Sequence, residues 1–242
     1  MASVSVLLAT YNGEAFLREQ IRSILAARRN HDLEIIVSDD GSTDATLAVL
    51  AAELPHDAKI FHNHFHSPTH NFEFLIAQAS RSIVLLCDQD DVWLPHKIDC
   101  LAQVLNEPST VTLAVSDAQL IDEFGTVIAG SFFKTTGGFR SGVLANVFRN
   151  RYLGCAMAFR REMVRYFLPF PQDVPMHDMW LGIVNDLYGK TQYLAEPLLQ
   201  YRRHRRNVSP ARRTGLTQVF KWRFSLVKGL IRLVLKHSFS KG

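Results

Sequence analysis

The sequence predicts an α/β fold built on a mostly parallel, doubly wound sheet, and three observations carry that expectation. Short β-rich apolar runs alternate with helix-periodic segments through the first half of the chain. The runs are apolar on consecutive residues, the pattern of strands buried on both faces. Three of them end in polar clusters, and in open parallel sheets ligands bind outside the carboxyl ends of the strands.

In chain order, Val4–Thr10 reads as the first strand and runs into Thr10-Tyr11-Asn12-Gly13. Glu14–Ala27 follows as a helix with Phe16, Leu17, Ile21, Ile24 and Leu25 on one side. Leu33–Ser38 is the second strand, and it ends in Asp39-Asp40-Gly41-Ser42-Thr43-Asp44 before a helix over Thr43–Leu54. Ala58–His62 reads as a strand, Asn71–Ala79 as a helix, and Ile83–Cys87 as the fourth strand, ending in Asp88-Gln89-Asp90-Asp91. Pro95–Leu105 is helical and Thr110–Ser116 extended. From about Asp117 the alternation is less regular, with a turn signal at Asp122-Glu123-Phe124-Gly125 and a helix near His177–Tyr188.

Composition bounds the answer. A chain of 242 residues, 47% hydrophobic and 21% charged, is that of one large globular domain or a domain with a short appendage. Charge divides it unevenly: residues 200–242 hold 12 Lys or Arg and no acid, against 15 basic and 23 acidic residues before them. A globular domain over 1–210 and a basic segment over 211–242 are therefore expected, the latter suited to a polyanionic contact. Cys87, Cys100 and Cys155 have no metal-like spacing and read as free thiols in a reducing compartment. Met1-Ala2-Ser3 leads straight into a strand, and no run reaches the roughly 18 apolar residues of a spanning helix, so a cytoplasmic protein is expected.

The acidic clusters carry the chemistry. In Asp88-Gln89-Asp90-Asp91 three carboxylates crowd into four residues, and two like charges about 4 Å apart repel by roughly 4 kcal/mol at an effective dielectric of about 20. A hard cation such as Mg2+ or Mn2+, shared with a diphosphate, offsets that repulsion; an acidic first helical turn before Pro95 is the plainer explanation. Asp39 and Asp40 serve equally as turn and cap residues or as an acceptor for the imide N–H of a pyrimidine base, with Tyr11 against the ring.

Taken together, the motifs resemble the inverting family 2 glycosyltransferases of the GT-A fold. The resemblance begins at Ser5-Val6-Leu7-Leu8-Ala9-Thr10-Tyr11-Asn12. It continues through Asp39–Asp44, Asp88-Gln89-Asp90-Asp91-Val92-Trp93 and Gly154–Arg161 to His177-Asp178-Met179-Trp180-Leu181, and ends in Tyr201-Arg202-Arg203-His204-Arg205-Arg206-Asn207-Val208-Ser209. It implies a nucleotide-sugar site formed by Thr10, Tyr11, Asn12, Asp39, Asp40, Asp88, Gly154 and Arg202. It implies Mn2+ or Mg2+ held by Asp90, with Asp88 and His204, and Asp178 as catalytic base; as a plain structural residue, Asp178 would cap a helix. The wording around Asp88–Trp93 is most like bacterial rhamnosyltransferases. That implies transfer from a dTDP- or UDP-sugar to a hydroxyl of a glycan or lipid-linked saccharide in surface polysaccharide synthesis.

Residues 217–239 place Lys221, Lys228, Arg232 and Lys236 within one arc of a helical wheel, with apolar residues over most of the rest. This is the pattern of a helix lying on an anionic membrane, here the inner face of the cell membrane, or of a terminal helix packed on the protein. Two other functions are weighed. A sugar-nucleotide nucleotidyltransferase needs a Gly-rich, basic triphosphate loop after the first strand, which Thr10-Tyr11-Asn12-Gly13-Glu14 is not. A nucleic-acid-binding protein would use Arg202–Arg213, but the body is acidic and no DNA- or RNA-binding motif is present, so no nucleic-acid partner is expected.

Overall fold

The alternation of apolar runs and helical segments becomes a regular α/β frame in the first half of the chain. Its elements are β1 (Ser3–Thr10), α1 (Leu17–Arg28), β2 (Asp32–Asp39), α2 (Thr46–Glu53), β3 (Lys59–His62), α3 (Pro68–Gln78), β4 (Ile83–Asp88), β5 (Val92–Trp93) and α4 (Lys97–Asn106). The second half adds β6 (Val111–Ile121), β7 (Val127–Ala129), α5 (Phe132–Thr136), α6 (Val143–Phe148), β8 (Met157–Arg160), α7 (Val164–Phe167), α8 (His177–Tyr188), β9 (Lys190–Arg202) and α9 (Leu216–Ser238). The computed structural model describes residues 1–106, 110–172, 174–204, 207 and 216–238, with side chains throughout except at 216–218 and 238. Arg205, Arg206, Val208 and Ser209 of the basic motif, and the proposed boundary near residue 210, lie outside the described residues.

The strands form one sheet in the order β3-β2-β1-β4-β8-β6-β9-β5, with β7 paired to β6. The first four are parallel, β8 runs antiparallel between β4 and β6, and β9 is parallel to β6. Val6, Leu7, Leu8, Ile36, Val37, Leu85 and Leu86 are fully buried, which is why these strands are apolar on consecutive residues. Fully burying a side chain of this size contributes about 1.5–3 kcal/mol. Register then fixes the site: Thr10 stands opposite Asp39, and Ala9 opposite Asp88, so the polar ends of β1, β2 and β4 share one edge.

Helix starts differ from expectation where side chains hold the preceding turn. α1 begins at Leu17 because Gly13 C=O first accepts the N–H groups of Phe16 and Leu17, and α2 begins at Thr46 because Asn12 and Glu14 accept those of Thr43 and Ala45. α3 starts earlier, at Pro68, with Ser67 capping it through the His70 N–H.

α9 packs on the protein along one face, as the packing expectation has it, and leaves its other face bare. Leu226, Leu230 and Leu233 join the common core, and Gly229 lies against Pro171 and Trp180. Arg223 donates to Phe148 C=O at 2.8 Å, and His237 packs on Tyr166 and Tyr188. The outer side leaves Phe220, Phe224, Val227, Ile231, Val234 and Leu235 exposed, covering about 100° of the helix circumference, and Lys221, Lys228, Arg232 and Lys236 follow in the next arc. Among the described residues no helix is long and apolar enough to cross a membrane.

Candidate active site

The edge formed by β1, β2 and β4 is built by short polar turns that lock onto one another. Asn12 adopts a left-handed conformation, with φ of 48°, that asparagine tolerates better than most residues. Its N–H donates to Ser42 Oγ and its Oδ1 accepts the Thr43 N–H, both at 2.8 Å. The Gln89 side chain grips the Tyr11 backbone from both sides, accepting its N–H at 2.8 Å and donating to its C=O at 2.9 Å. Residue 13 must be glycine for this clamp, since a Cβ there would stand 2.3 Å from Gln89 Oε1. The Tyr11 ring is left exposed above the edge.

Asp39 and Asp40 are buried and well supplied with donors. Asp39 accepts Thr10 Oγ1–H at 2.8 Å, the Ser42 N–H at 2.9 Å and Ser42 Oγ–H at 2.6 Å. Asp40 accepts the consecutive N–H groups of Phe65, His66 and Ser67, the last two at 3.0 and 2.9 Å. Both carboxylates therefore hold the loops that surround them, and Asp40 ties β2 to the entry of α3.

The second acidic end differs. Asp90 Oδ2 meets His204 Nε2 at 2.7 Å and Asn207 Nδ2 at 3.1 Å. Burial, then repulsion from Asp90 and Asp178, pushes the Asp88 carboxyl up to about 7. Asp91 is fully buried and is driven well above the ordinary carboxylate range by burial, then by Asp90 and Asp88. The chain supplies one cation from below: Lys97, with no exposed surface, donates to Cys155 C=O at 2.6 Å and lies 4.3 Å from the centre of the Trp93 ring. Among the described residues one interior lysine stands against three carboxylates, which is the setting in which a divalent ion fits. Carboxylate oxygens suit Mg2+ or Mn2+; the structure brings Asp88, Asp91 and Cys155 within reach of one ion, while Asp90 and His204 of the expected set meet each other at 2.7 Å.

Arg202 is 2% exposed and fully engaged by the protein. It donates to Asp90 C=O at 2.9 Å, to Asp122 and Glu123 C=O at 3.3 and 3.4 Å, and to Glu19 at 2.6 Å, while its backbone N–H reaches Asp91 Oδ1. The structure thus makes it the brace of the Asp90–Asp91 turn rather than a side chain pointing at open space.

At the start of α8, Asp178 Oδ1 accepts the Met179 N–H at 2.6 Å and Asn150 Nδ2–H at 3.1 Å. Burial pushes its carboxyl up to about 6, with those hydrogen bonds and one from the Gly154 N–H pulling the other way. His177 stacks on Phe72 with ring centroids 4.1 Å apart, and burial holds its imidazole down at about 3, hence neutral. Gly154 gives that ring its room, because a Cβ would lie 2.6 Å from His177 Nε2. Asp90 and Asp178 both act on Asp88, which marks each as its neighbour, although Asp178 is 88 residues from Asp90 in sequence.

Sequence reasoning does not find Gln89, Lys97, Asn150 or Asn207 as members of this site. Gln89 carries a signal, since it sits inside the acidic motif; Lys97, near the start of a helix, reads as a surface cation, and Asn150 lies in an irregular stretch with no local pattern.

Comparison with known proteins agrees with this geometry. A family model described as glycosyl transferase family 2 matches residues 5–167. An uncharacterized glycosyltransferase of Nostoc sp. is 30% identical over 217 residues, or 84% of this chain, and the chain spans 66% of that relative's length. A dTDP-rhamnosyl transferase of Shigella flexneri is 27% identical across 93% of this chain and 79% of its own length. Among solved structures, S. aureus TarS residues 1–349 in complex with UDP-GlcNAc superimposes with a TM-score of 0.69 at 18% identity, covering 90% of this chain and 64% of that one. The likeness to TarS shows the fold as GT-A.

Proposed function

The chain belongs to glycosyl transferase family 2, and on that premise we propose that it moves a sugar from a nucleoside-diphosphate donor to an acceptor hydroxyl in one inverting displacement. One observation carries the reading: at the end of β4, Asp90 meets His204 and the Asp88 carboxyl is raised by Asp90 and by Asp178, a half-buried residue whose own carboxyl lies at about 6. Asp178 takes the acceptor hydroxyl proton as the new bond forms at the anomeric carbon and the bond to the diphosphate breaks. A carboxyl at about 6 is mostly unprotonated at neutral pH yet more basic than an ordinary aspartate, which suits a general base. Asn150 and the Met179 N–H orient it. Tyr11, held by Gln89, lies against the base, with Thr10, Asn12, Asp39 and Asp40 shaping the base pocket and Gly154 the acceptor side. The chemistry a divalent ion supplies on Asp90, Asp88 and His204 is Lewis-acid relief of the charge on the departing nucleoside diphosphate.

The donor we favour is a dTDP- or UDP-sugar, and rhamnose is supported by the Shigella relative and the Asp88–Trp93 wording. The acceptor is a glycan or lipid-linked saccharide, and the exposed apolar and cationic arcs of α9 support working at an anionic membrane surface. A melting screen with UDP, dTDP and GDP, each with and without Mn2+, tests the reading. A metal-dependent rise for UDP or dTDP alone is expected, since a ligand that binds only the native state stabilises it by mass action. Equal responses to all three, or none, would refute it.

A further inference from the structure

We infer that the cleft between the start of α3 and the outer side of α9 binds the phosphate or diphosphate group of a membrane-borne acceptor, an inference that rests on the lipid-linked acceptor reading above. The cleft encloses about 540 Å³. His66 and His70 line one wall, Lys221, Trp222, Phe224 and Lys228 the other, and no acidic side chain lines it among the described residues. Such a wall selects anions, with two flexible ammonium groups as point-charge donors to phosphate oxygens.

Position identifies which anion. The floor of the cleft includes Val174 and Pro175, and the same segment leads within three residues to His177 and Asp178. Phe72, on which His177 stacks, lies one turn along α3 from Thr69. The cleft thus adjoins the site through α3 and the segment before α8, and the N–H groups of His66 and Ser67 on its wall donate to Asp40. Its outer lip is Phe224, 72% exposed, and that residue belongs to the bare apolar arc that continues through Val227 and Ile231. A cationic pocket opening onto an apolar ramp complements a diphosphate with a hydrocarbon chain attached, and a soluble anion would have no use for the ramp. Lys221 and Lys228 are exposed, so replacing them leaves the packed face of α9 untouched.

The test compares the full chain with its Lys221→Gln/Lys228→Gln variant on three probes. These are phosphatidylcholine vesicles doped with undecaprenyl diphosphate, vesicles brought to the same surface charge with phosphatidylglycerol, and free pyrophosphate as competitor. The variant is expected to lose about thirtyfold in affinity for the phosphatidylglycerol vesicles, the order for two lysines near an anionic surface, and distinctly more on the diphosphate vesicles. Pyrophosphate is expected to displace the unaltered protein from the diphosphate vesicles. Equal losses on both vesicles, or no loss, would overturn the inference by reducing α9 to general surface attraction. Pyrophosphate binding that needs both lysines, without preference for the lipid-borne group, would overturn the lipid source. The nucleotide-dependent melting shift separates the two readings: its absence from both proteins condemns the donor assignment, whereas the vesicle result judges the cleft.

Discussion

Two strand ends of this molecule are written in nearly the same letters, Asp39-Asp40 after β2 and Asp88-Gln89-Asp90-Asp91 after β4, and the fold treats them in opposite ways. At the first, six hydrogen bonds from Thr10, Ser42 and the loop 65–67 satisfy the two carboxylates. At the second, burial and repulsion push Asp88 and Asp91 upward, and Lys97 is the one interior lysine beside them among the described residues. The contrast teaches that acidic residues become a cation site through a shortage of donors. Their number does not decide it.

Removing the interior cation should strain that contrast most. Lys97→Met leaves a buried carboxylate cluster without its partner and is expected to cost about 3–5 kcal/mol in denaturant unfolding. A cost below about 1 kcal/mol would mean that the cluster is already protonated and neutral.

Next in size is Asp178→Asn, expected to lower turnover by about 10²-fold or more while the nucleotide-dependent melting shift persists. In the unaltered protein, rate should rise with pH through a midpoint near 6, because the base form must be present. Stability has the opposite sign. A carboxyl raised from 3.8 to about 6 binds its proton more tightly when folded, so its stabilising contribution is full below about pH 4 and is lost as pH rises through about 6. The Asn variant should therefore unfold less readily than the parent at pH 7 and lose this pH dependence.

The donor-rich end gives the smallest effect and the cleanest reversal. Asp40→Ala orphans the N–H groups of Phe65, His66 and Ser67, and a cost of about 2 kcal/mol is expected, since each buried unsatisfied donor costs about 1–3 kcal/mol before water enters the gap. Unchanged stability would show that the loop is held by other contacts.

Much of the first half is legible in the sequence because local pattern and burial agree there. Consecutive apolar residues such as Val6-Leu7-Leu8 could only be central strands, and α8 over His177–Tyr188 follows from its periodicity. The mixed right side of the sheet is not legible, because β8 enters antiparallel and the 13-residue β9 alternates imperfectly, its pairing with β6 broken by register shifts. In the site, residue types point to Asp90, His204 and Asp178. Their environments do not follow from sequence: the saturation of Arg202, the neutral His177 ring against Phe72 and the interior Lys97 are all products of packing across distant segments.

Mn2+ titration followed by electron paramagnetic resonance, on the unaltered protein, Asp90→Asn and Asp40→Ala, tests most directly whether the donor-poor strand end is the cation site. The unaltered protein and Asp40→Ala are expected to take up the ion alike, and Asp90→Asn to leave it free in solution. Uptake by Asp90→Asn equal to that of the unaltered protein would contradict the assignment.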